Sequence, residues 1–385
     1  MVAEEETLED VTENRNLAQR LSLADGITGG LMAPQELELN NGAVCWKGQP
    51  VSILFMDFNT DVLLALHRKH DLTPVLQAVK EHRVINPRGT ELFNVKSMFE
   101  VITGTCPDRF HKEIVARTPW TRQFYPRETD GPDGRKIDDL ITWTRRNWKG
   151  LVLKPERGYS GHGVRVGEVN SNIDEAIELA LGEGNYIVQE KIPLQLWAEE
   201  VPHLDKDMIR LEQVQTDFRC LVGPKGLLGF VGRYGGVPTN VGSGGGFQPL
   251  ALLRSQISVK DAVQQINDAV LSMNSGDLQQ IIEAQNKMAT EMEFTYLLGP
   301  VKVALRPRLI TSEQIAAVND YGHKLWADCL LLEKMWRAGE LDEIVRIEKE
   351  ELDIARLQPW QGSAAIIASD GLFNFGAAPN VNSRK

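Results

Sequence analysis

The sequence predicts an α+β protein whose middle is rich in strands and whose C-terminal third is helical. Strands and helices alternate up to about residue 140, short apolar segments separated by glycines follow, and helical spacing of apolar residues dominates from about residue 255. With 385 residues, 42% hydrophobic and 25% charged, the chain has the composition of a globular protein with more than one core. We predict an acidic tail (1–40), an N-terminal α/β lobe (41–140), a β-rich glycine-loop lobe (141–254) and a helical region with a late strand (255–385).

The N-terminal lobe begins with a strand, a turn and a second strand in "AVCWKGQPVSILFMDF". Gly48 and Pro50 mark the turn, and the apolar run after Pro50 is typical of a buried strand. Helical spacing follows, with Thr60 or Asp61 as the predicted cap, and "RVINP" predicts the next strand. This alternation predicts a small α/β lobe.

The middle region alternates short strands with glycine turns around one helix, "NIDEAIELALGEG". Antiparallel strands are predicted for "GLVLKPE", "VRVGEV", "YIVQEKI", "TDFRCLV" and "GLLGFVGRYG". In the helical region, "TSEQIAAVNDYGHKLWADCLLLEKMW" predicts a long helix capped by Thr311 or Ser312. Trp326, Trp336 and Trp360 are most simply packing residues.

Charge and cysteine content limit the possible partners. A net charge of -11 argues against an exposed surface for nucleic acid or anionic membrane, so small molecules or proteins are the expected partners. The four cysteines are too dispersed for a metal knuckle and too few for a disulfide scaffold. The acidic N-terminus and the lack of a roughly 20-residue apolar run predict a cytoplasmic protein with no membrane association. A homo-oligomer is possible on the sequence alone.

The segment "LVLKPERGYSGHGVRVG" combines an apolar strand, a lysine and closely spaced glycines. The strand delivers Lys154 to an edge, and Pro155 ends the ladder. Gly158, Gly161 and Gly163 let the backbone approach phosphates, which the lysine and backbone N–H groups can hold. In a P-loop the lysine follows the glycines, whereas here it precedes them. An ordinary hairpin with a solvated lysine is the alternative.

Later strands add polar residues in an ordered series. "YIVQEKI" ends in Gln189, Glu190 and Lys191, where a backbone edge and a carboxylate can bind an adenine amino group, or where the strand is simply solvated. "TDFRCLV" and "VGRYGG" place Arg219 and Arg233 so that both can enter one cleft and bind a transferring phosphoryl group. A surface ion pair with Asp217 is the simpler alternative.

This order of motifs resembles the ATP-grasp superfamily over about 100 residues. The matching segments are "VLKP" with its glycine loop, "VQEK", "DFRCLV" followed by "GRYGG", and "TNVGSGGG". Upstream, "VINPRGTELFNVKSMFEVITG" is similar to the segment that supplies the family's first nucleotide lysine, which would be Lys96. The "NP...N-x-K" combination is similar to the circularly permuted, glutathionylspermidine synthase-like branch. The resemblance implies two α/β subdomains that clasp a nucleotide, with a helical C-terminal region added.

The resemblance also implies roles for individual residues. Lys96 and Lys154 would bind phosphates of ATP, and the loop from Gly158 to Gly163 would form a lid. The residues implied in nucleotide binding are Lys96, Lys154, Gly158, Ser160, Gly161, His162, Gly163, Gln189, Glu190 and Lys191, the last three as the adenine hinge. Those implied in catalysis are Arg219 and Arg233, which would stabilise the γ-phosphate and the acyl phosphate, and Asn240, which would lie near the product.

The magnesium ligands are where the sequence departs from the family. The family uses an Asp followed by Glu-x-Asn, and no Glu-x-Asn follows "TNVGSGGG". The nearest candidates are Asp370 and Asn374 in "IIASDGLFNFG". Two other pairs are Asp57 with Asn59, and Glu291 with Glu293, the latter more simply helix surface. Mg²⁺ needs only one or two carboxylates with several waters, so an incomplete set does not abolish binding.

These features predict an ATP-dependent ligase that phosphorylates a small-molecule carboxylate and transfers the acyl group to an amine, releasing ADP. One alternative is an ATP-binding regulatory or assembly protein without ligase activity. Another is phosphotransfer to a hydroxyl or amine without ligation. The acid and the amine are not specified by the sequence.

Overall fold

The computed structural model describes residues 1–9, 12–23, 26–158, 162–167, 172–192, 198–236, 244–254, 256–291, 295–296, 299–364 and 366–368. Helices and strands are mixed throughout, as the sequence predicts for an α+β protein. The chain forms two compact units. The first takes its described residues mainly from Met1–Val95 and Leu330–Ala364, and the second from Lys96–Thr290 and Thr295–Cys329 together with the last strand.

The helices in the described part of the chain, in chain order, are α1 Thr12–Ser22, α2 Thr60–His67, α3 Thr73–Lys80, α4 Met98–Glu100, α5 Lys112–Arg117, α6 Leu140–Asn147, α7 Ile173–Glu183, α8 Val259–Leu271, α9 Ser275–Glu291, α10 Ser312–Arg337 and α11 Lys349–Leu357. Short 3₁₀ turns and one π-helical turn, Val101–Thr105, connect some of them. None of these described helices is long and apolar enough to cross a membrane.

The described strands, in chain order, are β1 Leu37–Asn40, β2 Ala43–Trp46, β3 Gln49–Pro50, β4 Leu54–Phe55, β5 Val84–Ile85, β6 Thr121–Gln123, β7 Thr129–Asp130, β8 Lys136–Ile137, β9 Leu151–Pro155, β10 Arg165–Val166, β11 Tyr186–Glu190, β12 Ala198–Asp205, β13 Met208–Gly223, β14 Gly226–Gly235, β15 Gly246–Gln248, β16 Leu250–Leu252, β17 Thr295–Tyr296, β18 Gly299–Pro300, β19 Arg308–Ile310 and β20 Ile366–Ala368.

The first unit combines the antiparallel sheet β1-β2-β3, the parallel pair β4-β5 and helices α2, α3 and α11 around one core. The predicted cap of α2 is wrong. Asn59 holds the N-cap position without a side-chain cap, and the carboxylate of Glu91 accepts the Thr60 N–H at 2.8 Å and the Thr60 hydroxyl at 2.7 Å. Glu91 therefore satisfies the first backbone donor of the helix, from a distance in sequence that local patterns do not reveal. The carboxylate of Asp61 accepts a second one, the Val62 N–H, at 2.8 Å.

The start of the chain is packed into this core. Val2 and Ala3 are fully buried, and the Val2 N–H donates to the Phe55 carbonyl at 2.8 Å. These first residues of the predicted acidic tail are therefore part of the core of the first unit. Apolar burial outweighs the acidic residues that follow, which stay largely at the surface.

The second unit contains an antiparallel sheet of order β10-β9-β11-β6, which forms as the sequence predicts for β9, β10 and β11. One face packs on α6 and α7 through an apolar core that includes Leu151, Leu153, Tyr186 and Val188. Because side chains alternate along a strand, Lys154 and Gln189 lie on the opposite face. This sheet therefore has an apolar face that anchors it and a polar face.

A second sheet in the same unit has the order β12-β13-β14-β15, and β20 pairs with the central strand β13. The predicted strands "TDFRCLV" and "GLLGFVGRYG" form parts of β13 and β14. Strands β12, β13 and β14 pair as antiparallel neighbours, with one irregularity between Leu221 and Val222. This sheet carries the arginines singled out by the sequence.

Several local predictions in the helical region are confirmed. Thr311 caps α10, since its hydroxyl accepts the Gln314 N–H at 3.2 Å while the Gln314 side chain accepts the Thr311 N–H at 2.9 Å. Trp326, Trp336 and Trp360 are buried packing residues. All four cysteines are free thiols, as expected.

Candidate active site

Lys154 stands at the end of β9 on the polar face of the β10-β9-β11-β6 sheet. Its ammonium donates to the Gln189 side-chain oxygen at 2.8 Å, and the Gln189 amide donates to the Thr121 hydroxyl at 2.9 Å. Gln189 is 2% exposed, and strand register places it beside Val152 on the polar face. The strand thus delivers the lysine as predicted, and the side chain of Gln189 fixes the lysine's direction.

Lys96 comes from a separate segment and reaches the same end of β9. Its backbone N–H donates to the Glu156 carbonyl at 2.9 Å, and its ammonium donates to the Gly158 carbonyl at 3.0 Å. Burial lowers the pKa of Lys96 below its ordinary value, while the Glu156 carboxylate opposes that effect. The structure therefore brings both predicted phosphate-side lysines to the mouth of the glycine loop.

Two buried carboxylates, Glu156 and Glu100, both accept hydrogen bonds from Gln123. Glu156, 5% exposed, accepts the Ser97 hydroxyl at 3.2 Å and the Gln123 side-chain amide at 3.2 Å. Glu100 accepts the Gln123 backbone N–H at 2.7 Å and forms an ion pair with Arg127. None of these five residues was predicted from the sequence to belong to the site. The available signal was the Glu that directly follows the Lys-Pro of "KPERG", at the end of a buried strand.

The described parts of the glycine loop have the backbone that the sequence suggested. Gly158 has φ +108° and Gly163 has φ +72°, conformations that side chains other than glycine rarely adopt. The Gly163 carbonyl accepts the Tyr186 hydroxyl at 3.2 Å, which ties the loop to β11. His162 is exposed. Ser160 and Gly161 lie outside the described residues.

The predicted adenine hinge lies at the end of β11, which includes Gln189 and Glu190. The backbone N–H of Glu190 donates to the Trp120 carbonyl and that of Lys191 to the Gly150 carbonyl, both at 2.8 Å. Strand pairing thus fixes this segment between its two neighbours. The Glu190 side chain is exposed, and the Lys191 ammonium donates to the Lys149 carbonyl at 2.8 Å. Unlike Gln189, neither side chain is drawn into the interior.

The second sheet brings together Asp217, Arg219 and Arg233. Asp217 lies directly opposite Arg233 in the register of β13 and β14, and alternation along β13 places Arg219 on the same face. Arg233 is 9% exposed and binds Asp217 in a bidentate pair, with N···O distances of 2.8 and 2.9 Å. Arg219 is exposed. The predicted shared face is present, and Asp217 orients Arg233 on it. Asn240 lies outside the described residues.

The other face of this sheet carries a buried charge network that sequence reasoning missed. The Glu199 carboxylate accepts from Arg306 at 2.5 Å and from Gln248 at 3.2 Å, and lies 3.6 Å from Arg308. Burial alone would raise the pKa of Glu199, but Arg308 and Arg306 outweigh it and lower that pKa. Arg308 also donates to the Thr216 hydroxyl at 2.9 Å. The network joins the β12 and β13 strands to the segment before α10.

The described residues do not form the magnesium site that the resemblance implies. They contain no group of three or more His, Cys, Asp or Glu side chains able to hold a metal ion. Asp370, Asn374 and Glu293 lie outside them. Of the remaining candidates, Glu291 is on the exposed surface of α9, and the exposed Asp57 accepts the Asn14 amide at 2.8 Å.

Lys96, Lys154 and the glycine loop are chemically suited to binding a polyanion. Both lysine ammonium groups donate to neutral oxygens, a backbone carbonyl and a side-chain amide, and neither bond neutralises their charge. Phosphate oxygens are stronger acceptors for ammonium groups than amide oxygens. The open backbone at Gly158 lies directly beside them.

Neither a protein-family model nor a curated protein matches this chain. Among solved structures, a RimK domain protein ATP-grasp from Sphaerobacter thermophilus is 16% identical, with 60% of this chain and 70% of that one covered and a TM-score of 0.33. The ATP-grasp ligase PsnB, complexed with a phosphomimetic variant of minimal precursor, Mg and ADP, is 12% identical over 70% and 78%, with a TM-score of 0.36. The macrocyclase MdnC, bound with precursor peptide MdnA from Microcystis aeruginosa, is 9% identical over 79% and 89%, with a TM-score of 0.34. Because these TM-scores are low, assignment of a function rests on the chain's own residues.

Proposed function

We propose that the second unit binds ATP in an ATP-grasp-like site, with Lys96 and Lys154 on the phosphates and the loop from Gly158 to Gly163 as the lid. The observation that carries the proposal is the meeting of two lysines at one glycine loop. Lys96 donates to the carbonyl of Gly158, 62 residues later in the chain, and Lys154 ends the strand that leads into the loop. An ordinary hairpin with a solvated lysine would need no second lysine from a distant segment.

The environment of the lysines favours a polyphosphate. Both are partly buried, so a bound anion would interact with them more strongly than at a fully hydrated surface. The bonds to Gly158 and Gln189 hold the ammonium groups in place before the nucleotide arrives. An ammonium group has three N–H donors, so phosphate oxygens can bind while these bonds persist. Glu190 and Lys191, fixed between neighbouring backbone segments, would border the adenine.

We further propose that the bound ATP activates a small-molecule carboxylate for ligation. A carboxylate oxygen attacks the γ-phosphorus, the bond to ADP breaks, and an acyl phosphate forms. The amine nitrogen then attacks the acyl carbon, phosphate leaves, the nitrogen loses a proton and an amide results. Arg219 and Arg233 would stabilise the charge on the transferring phosphoryl group, with Asp217 orienting Arg233, and Asn240 would lie near the product. Asp370 and Asn374 would hold a Mg²⁺ ion, which would offset the charge on the transferring phosphoryl group.

Product analysis tests the reaction. The protein is incubated with ATP, magnesium salt and pools of acids and amines, and ADP and product masses are measured. ADP together with an amide is the expected result. ADP with a stable phosphorylated product would instead indicate phosphotransfer. Lys154→Ala should abolish turnover, whereas the matched variant of the exposed Lys225, in the β13-β14 turn, should keep it.

A second candidate is an ATP-binding regulatory or assembly protein of the same fold without ligase activity. The lack of a Glu-x-Asn after "TNVGSGGG" favours it. ATP binding without turnover in any substrate pool would select this candidate. For either activity we propose a cytoplasmic protein that can form a homo-oligomer and has no nucleic-acid or membrane partner.

A further inference from the structure

Glu156 is a buried carboxylate at the junction between β9 and the glycine loop. Its backbone N–H donates to the Asn185 carbonyl at 2.7 Å, so its position is fixed by the sheet. Its side chain accepts from two neutral donors, the Ser97 hydroxyl and the Gln123 amide, each at 3.2 Å. Burying a carboxylate is costly unless hydrogen bonds and nearby positive charge compensate it. These two hydrogen bonds, one to each carboxylate oxygen, connect Glu156 to segments far from it in sequence.

One of these segments is Lys96 with Ser97. The Glu156 carbonyl accepts the Lys96 N–H at 2.9 Å, while its carboxylate accepts the hydroxyl of Ser97. One residue thus holds the segment at two points, through its backbone and through its side chain. With its backbone so fixed, Lys96 reaches the Gly158 carbonyl at 3.0 Å, two residues beyond Glu156.

The charge of Glu156 also acts on Lys96 directly. Burial lowers the pKa of the Lys96 ammonium, and the Glu156 carboxylate raises it, which favours the charged form. Two of the neighbouring charged groups have contacts of their own with other side chains. Glu100 is bound by Arg127, and Lys154 donates to Gln189. Glu156 is therefore suited both to place Lys96 and to keep it protonated.

We propose that Glu156 is a positioning residue that holds Lys96 at the entrance of the glycine loop, so that Lys96 can bind the phosphates of a nucleoside triphosphate. The inference rests on the proposed ATP site and adds a residue that acts through Lys96 rather than on the nucleotide. Its effect on affinity must therefore vanish when Lys96 is absent. Its effect on the pKa of Lys96 must also be measurable without any nucleotide.

A double-mutant cycle tests the first requirement. ATP affinity is measured by calorimetry for the wild type, Glu156→Gln, Lys96→Met and the double variant. Glu156→Gln should weaken ATP about tenfold, roughly 1.4 kcal/mol, and the double variant should be no weaker than Lys96→Met alone. Losses that multiply in the double variant would overturn the proposal. The matched control is Glu178→Gln, an exposed carboxylate on α7, which packs on the apolar face of the sheet; it should bind as wild type.

The second requirement is tested without nucleotide, so that it is independent of the proposed function. The rate at which Lys96 reacts with an amine-reactive reagent is followed by mass spectrometry across a pH series. The pH midpoint of the Lys96 labelling rate should shift to lower pH in Glu156→Gln and stay unchanged in Glu178→Gln. A merely structural role would change the extent of labelling but not the midpoint, and an unchanged midpoint would overturn the proposal. Failure of the wild type to bind ATP, with the shift present, would refute the ATP site alone.

A milder variant covers the case in which Glu156→Gln does not fold. Ser97→Ala removes one hydrogen bond to the same carboxylate and leaves its charge in place. It should weaken ATP binding in the wild-type background and have no effect in the Lys96→Met background. An equal loss in both backgrounds would overturn the proposal.

Discussion

Alanine at Gly163 should destabilise the protein far more than alanine at Gly158 or Gly150. A Cβ at Gly163 would lie 2.7 Å from the ring of Pro155 and 2.7 Å from the Tyr186 hydroxyl, on a backbone with φ +72°. The backbone strain costs about 1–3 kcal/mol, and overpacking against the rigid ring adds about 1–3 kcal/mol. We therefore expect a loss of about 2–6 kcal/mol in the free energy of unfolding, the sum of these two costs.

Two matched variants separate these costs. Gly158→Ala carries the backbone strain alone, because its Cβ would have no neighbour within 4 Å at φ +108°. Gly150→Ala carries neither cost and should stay within about 0.5 kcal/mol of the wild type. Denaturant unfolding followed by tryptophan fluorescence measures all three. Equal stability of Gly163→Ala and Gly158→Ala would refute the close approach between the loop, Pro155 and Tyr186.

Three further predictions concern polar partners. Gln189→Leu removes the side-chain acceptor of Lys154, so calorimetry should show ATP binding about tenfold weaker, while unchanged affinity would exclude the positioning role of Gln189. Glu199→Gln breaks a buried ion pair and should cost about 3–5 kcal/mol at neutral pH. Arginines hold the pKa of Glu199 below its ordinary 4.5. The contribution of Glu199 to the free energy of unfolding is therefore present above that pH and is lost as pH falls through the folded-state pKa. In acid titration, the free energy of unfolding should depend less on pH in the variant than in the wild type. Asp217→Asn should leave Arg233 misoriented and abolish turnover while ATP binding persists, and unimpaired turnover would contradict the role given to that pair.

Local features of the site could be predicted from sequence because their causes are local. An apolar run that ends in a lysine and a proline defines a strand end, and β9 does stop at Pro155. Closely spaced glycines indicate unusual backbone, and Gly158 and Gly163 both have positive φ. Alternation along β13 placed Asp217 and Arg219 on one face, and the register with β14 agrees.

Partners distant in sequence could not be predicted in the same way. Periodicity indicates which face a residue lies on but not which residue it meets, so the 107-residue separation between Glu199 and Arg306 left no local signal. The same holds for the Glu91 cap on α2, 31 residues away. Glu156 illustrates the limit most clearly, because its partner Ser97 lies 59 residues earlier in the chain.

Calorimetric titration of ATP with magnesium into the wild type, Lys154→Ala and Lys225→Ala, without any acid or amine, tests the central claim most directly. We predict binding in the micromolar range, about -8 kcal/mol, that is lost in Lys154→Ala and retained in Lys225→Ala. Absence of binding by the folded wild type would contradict both the ligase and its regulatory alternative, and would leave the glycine loop as an ordinary hairpin.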